Sequence, residues 1–132
     1  MENTTHNLAV VELKPFIPCK DFERSIAFYT TLGFEILWQS DELCLMSWGR
    51  EKFFLQNFYN QEAAENMMFH LQVENADHWY KHIETLDLKT KFGVQFTAVE
   101  DREWGMRDFV LIDPSGVLWR IAHNISCSMD FV

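Results

Sequence analysis

The sequence predicts an α+β fold of two tandem βαβββ modules whose eight strands form two curved mixed sheets. Two observations carry this. The order strand, helix, three strands occurs twice within 132 residues. Phe16–Tyr29 also overlays His70–Ile83 without a gap, which sets Asp21 over Asn75 as the N-caps of corresponding helices. Two units are too few for a solenoid and suggest modules that complete one another.

The first module spans about residues 8–58. Leu8–Ile17 is apolar and β-branched enough for a strand, and Pro15 and Pro18 make it an edge strand or a bent one. Asp21 caps a helix over about Phe22–Thr31, with Phe22, Ile26 and Tyr29 at positions i, i+4 and i+7. Gly33 ends it, because glycine tolerates a left-handed cap. Strands follow at about Phe34–Gln39, Glu42–Trp48 and Lys52–Phe58, with turns at Ser40-Asp41 and Gly49-Arg50.

Tyr59–Asn66 is polar and reads as a linker. The second module, about residues 67–124, starts with a strand at Met67–Val73. Asn75 then caps a helix over about Ala76–Leu86, which carries Trp79, Tyr80 and Ile83. Strands are expected at Val94–Glu100, Met106–Ile112 and Val117–His123. Asp113-Pro-Ser-Gly116 reads as the turn between the last two.

Composition narrows the function. Eleven Lys and Arg against twenty Asp and Glu give a net charge of −9. That balance opposes binding to a phosphate backbone and argues against a nucleic-acid partner. No apolar run approaches the roughly 20 residues that span a bilayer. Met1–Asn7 lacks the basic and apolar regions of a signal peptide, so the expectation is a cytoplasmic protein with no membrane partner. Cys19, Cys44 and Cys127 are odd in number and widely spaced, which argues against a disulfide framework or a zinc site. Asn3-Thr4-Thr5 and Asn124-Ile125-Ser126 are chance glycosylation matches in that setting.

Four segments point to a family: Pro15-Phe-Ile-Pro-Cys-Lys-Asp21, Ser25-Ile-Ala-Phe-Tyr29, Leu32-Gly-Phe34 and Asp113-Pro-Ser-Gly116. In this order, within a duplicated frame, they resemble the vicinal oxygen chelate superfamily, which includes glyoxalases, extradiol dioxygenases and bleomycin resistance proteins. The resemblance spans about Leu8–Asn124. Trp104-Gly105, an alternating strand and the Asp-Pro-Ser-Gly turn are most similar to the bleomycin resistance proteins. That likeness implies a homodimer with N-terminal arms exchanged at Pro15 and two ligand crevices between the subunits.

Metal-dependent members of the superfamily hold a divalent ion with His, Gln or Glu on four strands. The alignment places Lys14, Gln56, Met68 and Arg120 there. Lysine and arginine are cations without a lone pair to give, and methionine is a soft ligand, so no cofactor or metal is expected. His78 and His82, four apart on a helix, read as exposed side chains, and Glu100, Asp101 and Glu103 as a solvated turn.

The resemblance carries over binding positions one at a time. Trp38 lies where a crevice-lining phenylalanine is expected and Trp104 where a tryptophan stacks on the drug. Glu65 matches an acidic residue at the rim, and Gln56 a serine in the floor. His70 falls where another tryptophan is expected, a departure that counts against bleomycin itself. Lys14 and Arg120, if turned inward, favour a carboxylate- or phosphate-bearing ligand; otherwise each pairs with a nearby acid. Gly105 lets backbone approach a ligand. Trp48, Trp79 and Trp119 read as packing. The leading expectation is a non-catalytic homodimer that sequesters a small planar aromatic ligand such as a bleomycin-type drug. The alternatives are a lyase or dioxygenase with a non-standard site, and a structural dimer with a closed crevice.

Overall fold

The computed structural model describes residues 5–125. They form two four-stranded mixed sheets with helices, one sheet per module. The first module contains β1 (Phe16–Pro18), α1 (Phe22–Leu32), β2 (Glu35–Gln39), β3 (Leu43–Trp48) and β4 (Glu51–Gln56). Its strand order is β1-β4-β3-β2, with β1 parallel to β4 and the other pairs antiparallel. After α2 (Gln61–Glu65) come β5 (Met68–Gln72), α3 (Ala76–Thr85), α4 (Leu88–Phe92), β6 (Glu100–Asp101), β7 (Met106–Ile112) and β8 (Leu118–Asn124). The second sheet repeats the pattern as β5-β8-β7-β6, with β5 parallel to β8.

The helix caps are those expected. Asp21 accepts from the Arg24 amide and Asn75 from the His78 amide. Gly33 closes α1 at φ 122°, and a Cβ there would stand 2.7 Å from the Trp48 ring, so this position needs glycine twice over.

Four expectations are corrected. The strand at Leu8–Ile17 shrinks to Phe16–Pro18, because Pro15 has no N–H for a ladder and residues before it find no strand partner among the described residues of their own chain. Leu8, Val10, Val11 and Leu13 are between 82% and 92% exposed. The Tyr59–Asn66 linker contains α2, capped by Asn60 accepting from the Ala63 amide, with Ala64 buried. The second-module helix stops at Thr85 and α4 follows it. The strand at Val94–Glu100 reduces to Glu100–Asp101 plus an isolated bridge from Phe96 to Leu111. Cys127, Ser126 and the first four residues lie outside the described residues. Cys19 and Cys44 are buried, and burial pushes both thiols up to about 11.

The core joins the modules. Trp119 of β8 packs among Tyr29, Phe34 and Phe53 of the first module and Phe69 of the second. Its indole N–H donates to the Tyr29 hydroxyl at 2.8 Å, and that hydroxyl donates to Asp113 Oδ2 at 2.7 Å. Asp113 Oδ1 accepts from the Ser115 and Val117 amides, while Tyr59 donates to the Ser115 carbonyl. The Asp-Pro-Ser-Gly turn is therefore also a lock between modules.

Burial holds the Asp113 carboxyl above its ordinary value, and the Tyr29 and amide donors only partly offset this. A carboxyl whose folded pKa is raised contributes stability below its unfolded pKa, near 4, and loses it as pH rises through the folded value. Asp113→Asn should thus remove a fall in stability that sets in as pH rises above about 4. Urea unfolding of both proteins as pH rises from there checks it; identical pH profiles would contradict it.

Candidate functional site

Side-chain alternation divides each sheet. In the first, Cys44, Met46, Phe53 and Leu55 turn into the core with α1. The opposite face carries one row across all four strands. Trp38 pairs with Leu45, Leu45 with Phe54, and Phe54 with Phe16. The Phe16 and Phe54 rings stack at 4.8 Å, Trp38 is 50% exposed, and a bulge between Ile36 and Trp38 sets its placement. Gln56 lies on this face at the end of β4, paired with Pro18 and Leu43. Only Trp38 and Gln56 of this face were foreseen. Phe16, Leu45 and Phe54 become visible once strand register is known.

The second sheet's open face is mixed: Met68, Leu118 and Ile112 form an apolar row, and the rows beside it carry the polar groups. His70 pairs with Arg120, which pairs with Val110; in the next row Gln72 pairs with Ala122, then Asp108, then Glu100. Asp108 is 0% exposed, and the sequence reading missed it. Its Oδ1 accepts from Arg102 Nε at 2.8 Å and its Oδ2 from Arg120 Nη1 at 3.1 Å. Arg120 is therefore neutralised within its own sheet. Lys14 likewise meets Glu12, which also binds Lys52; these two ammonium groups lower the Glu12 carboxyl to about 2. Of the two alternatives for Lys14 and Arg120, the structure shows pairing with neighbouring acids.

Trp104 stands 52% exposed in the turn between β6 and β7. Gly105 is buried at φ 81°, and its carbonyl accepts from the Ile125 amide, so its freedom serves the turn itself. Glu65 sits apart, beside Gly116 in the β7–β8 turn. That is the other end of β7 from Trp104, about 20 Å for a strand of this length. One chain thus spreads the predicted residues over two sheets rather than one pocket.

A cavity of about 950 Å³ lies elsewhere, between the start of β4 and β5. Consecutive residues from Phe69 to Asn75 line it, so it follows the edge of β5 rather than one face. Among the described residues that edge has no strand partner. Its walls include Trp48, Trp79 and Trp119, with Leu13 and Pro15 also bordering it. Trp48 and Trp79 lie 4.8 Å apart. His70 is the one predicted site residue at its border. His82 bonds the Leu32 carbonyl at 2.8 Å and so ties α3 to α1.

Lys14, Gln56, Met68 and Arg120 do not fit a divalent metal. The first and last are engaged with carboxylates, and Met68 is exposed at the edge. Among the described residues no three His, Cys, Asp or Glu side chains are grouped to hold one.

This paired-module fold and its residues identify the chain with a family: residues 8–121 match the Glyoxalase/Bleomycin resistance protein/Dioxygenase superfamily, and the chain belongs to it. A bleomycin resistance protein of Klebsiella pneumoniae is 27% identical over 115 residues, covering 83% of this chain and 90% of that protein. A bleomycin-binding protein crystallised with bleomycin superposes with a TM-score of 0.74 at 24% identity, over 87% of this chain and 99% of the other. The bleomycin-binding protein of the bleomycin producer Streptomyces verticillus, complexed with copper(II)-bleomycin, gives 0.71 at 19% identity, over 91% and 99%. No helix among the described residues is long and apolar enough to cross a membrane.

Proposed function

We propose that this chain is a non-catalytic binding protein that, as a homodimer, holds a planar aromatic antibiotic of the bleomycin type between the first sheet of one copy and the second sheet of the other. The observation that carries this reading is the open row Trp38–Leu45–Phe54–Phe16. A continuous apolar row left to solvent marks an interaction surface. Aromatic faces in it suit flat rings, which stack offset or edge-on. His70 and Arg120 on the facing sheet supply hydrogen bonds, Gln56 adds one from the end of the apolar row's own sheet, Trp104 a second stacking surface, and Glu65 acidity at the rim. The bleomycin-binding relatives support the drug class. The misfit of Lys14, Met68 and Arg120 as metal ligands supports binding without catalysis.

The arm supports the assembly. Four exposed apolar residues precede Pro15, and the cavity beside β5 offers apolar walls and an unpaired strand edge. Residues 8–14 of a second copy fill it by adding a strand, which gives arm and edge their missing hydrogen bonds. Sedimentation at micromolar concentration should give a dimer, and Val11→Asp with Leu13→Asp should shift it toward monomer. A wild-type monomer would overturn the shared crevice. Saturable quenching of tryptophan fluorescence by bleomycin tests the ligand, and no response at any concentration would contradict it.

A further inference from the structure

The turn that presents Trp104 is weakly held by its own ladder. The strand before it, β6, has two residues, paired only as Glu100–Asp108 and Asp101–Arg107. Two backbone bonds close the turn: the Arg102 amide donates to the Met106 carbonyl at 2.7 Å, and the Gly105 amide to the Arg102 carbonyl at 3.1 Å. A third backbone bond, from the Ile125 amide to the Gly105 carbonyl at 2.9 Å, joins the turn to the chain after β8, and a further tie is a side chain. Arg102, two residues before Trp104, reaches from the turn to Asp108 Oδ1 at 2.8 Å. Asp108 is fully buried within β7, and its second oxygen is anchored to Arg120 on β8. The turn is thus moored through one carboxylate to the two central strands of the sheet.

We infer that Arg102 and Asp108 are positioning residues for Trp104, holding its turn in the orientation that meets a ligand. The inference rests on the reading above that Trp104 contacts the drug. Charge recognition does not explain the cluster. Arg102 and Arg120 carry two positive charges, Asp108 one negative, and Glu100 stands 3.6 Å from Arg102 with another. The four cancel, so the cluster offers a ligand no net charge. Its contribution is geometric: a site that populates its binding-competent form one-tenth of the time binds about tenfold more weakly.

The test is a double-mutant cycle with bleomycin as the probe, together with a ligand-free measurement. Arg102→Met keeps the apolar stem and removes the tie. It should raise the bleomycin Kd about tenfold in the wild-type background. It should change Kd by less than about twofold in a Trp104→Ala background, because the two effects act through one side chain. Arg102→Lys should recover most of the loss, since an ammonium still reaches Asp108 as a point charge. Equal factors in both backgrounds, or no effect in the first, would overturn the inference.

Without ligand, the fast component of the tryptophan anisotropy decay should grow in Arg102→Met, and not when Trp104 is Phe. An unchanged decay overturns the inference even if bleomycin never binds, which keeps this failure distinct from failure of the drug reading. Should Arg102→Met not fold, Arg102→Lys is read on the same measurements. A smaller change of the same sign is then expected, and no change overturns the inference.

Discussion

Asp108→Ala is expected to cost about 3–5 kcal/mol of folding stability, the range for removing one partner of a buried ion pair. The carboxylate is 0% exposed, and both oxygens are occupied by guanidinium groups from different segments. Without it, Arg102 and Arg120 face each other with no counter-charge between them. Each guanidinium keeps some solvent contact, which places the loss in the lower half of the range. Asp108→Asn should cost less, because its side-chain oxygen can still accept from one arginine. Urea unfolding measures both. A loss under about 1 kcal/mol in Asp108→Ala would show that the arginines find water as readily as the carboxylate.

Trp119→Ala is expected to cost as much or more, about 3–5 kcal/mol for a large aromatic removed from a packed core. Its ring touches Tyr29 and Phe53 of the first module and Phe69 of the second. Truncation would also leave the Tyr29 hydroxyl without its donor in a fully buried setting. A loss of this size is a large share of the 5–15 kcal/mol typical of a domain. Calorimetric unfolding checks it. A variant with nearly unchanged Tm would show that the modules cohere without this contact. Trp119→Phe should recover much of the packing but not the hydrogen bond, which separates the two contributions.

Much of the fold could be read from the chain because its signals are local. Asp21 and Asn75 are caps whose chemistry is visible in a few residues, and Asp113-Pro-Ser-Gly is a turn wherever it occurs. Apart from the one-turn helices α2 and α4, what escaped was non-local. Pairing along Leu8–Ile17 ends at Pro15 because the residues before it have no strand partner among the described residues of their own chain, and no pattern within the segment shows that. The Val94–Glu100 strand is reduced to a bridge and two residues because its neighbour β7 accepts it only at separate points. The same limit governs the site. Trp38 and Trp104 were visible as residues, but the row completed by Phe16, Leu45 and Phe54 exists only once register is set. Asp108 was missed because an acid in a strand reads as surface until two arginines, six and twelve residues away, are seen to converge on it.

The most direct test of the account is a calorimetric titration of bleomycin into the wild-type protein and into Trp104→Ala. The wild type should bind one drug molecule per chain. Trp104→Ala should bind it about 1–3 kcal/mol more weakly, the scale of one lost stacking contact, with its unfolding free energy nearly unchanged. Absence of binding heat across temperatures with the wild type, or a Trp104→Ala protein that loses stability while keeping its affinity, would contradict the account.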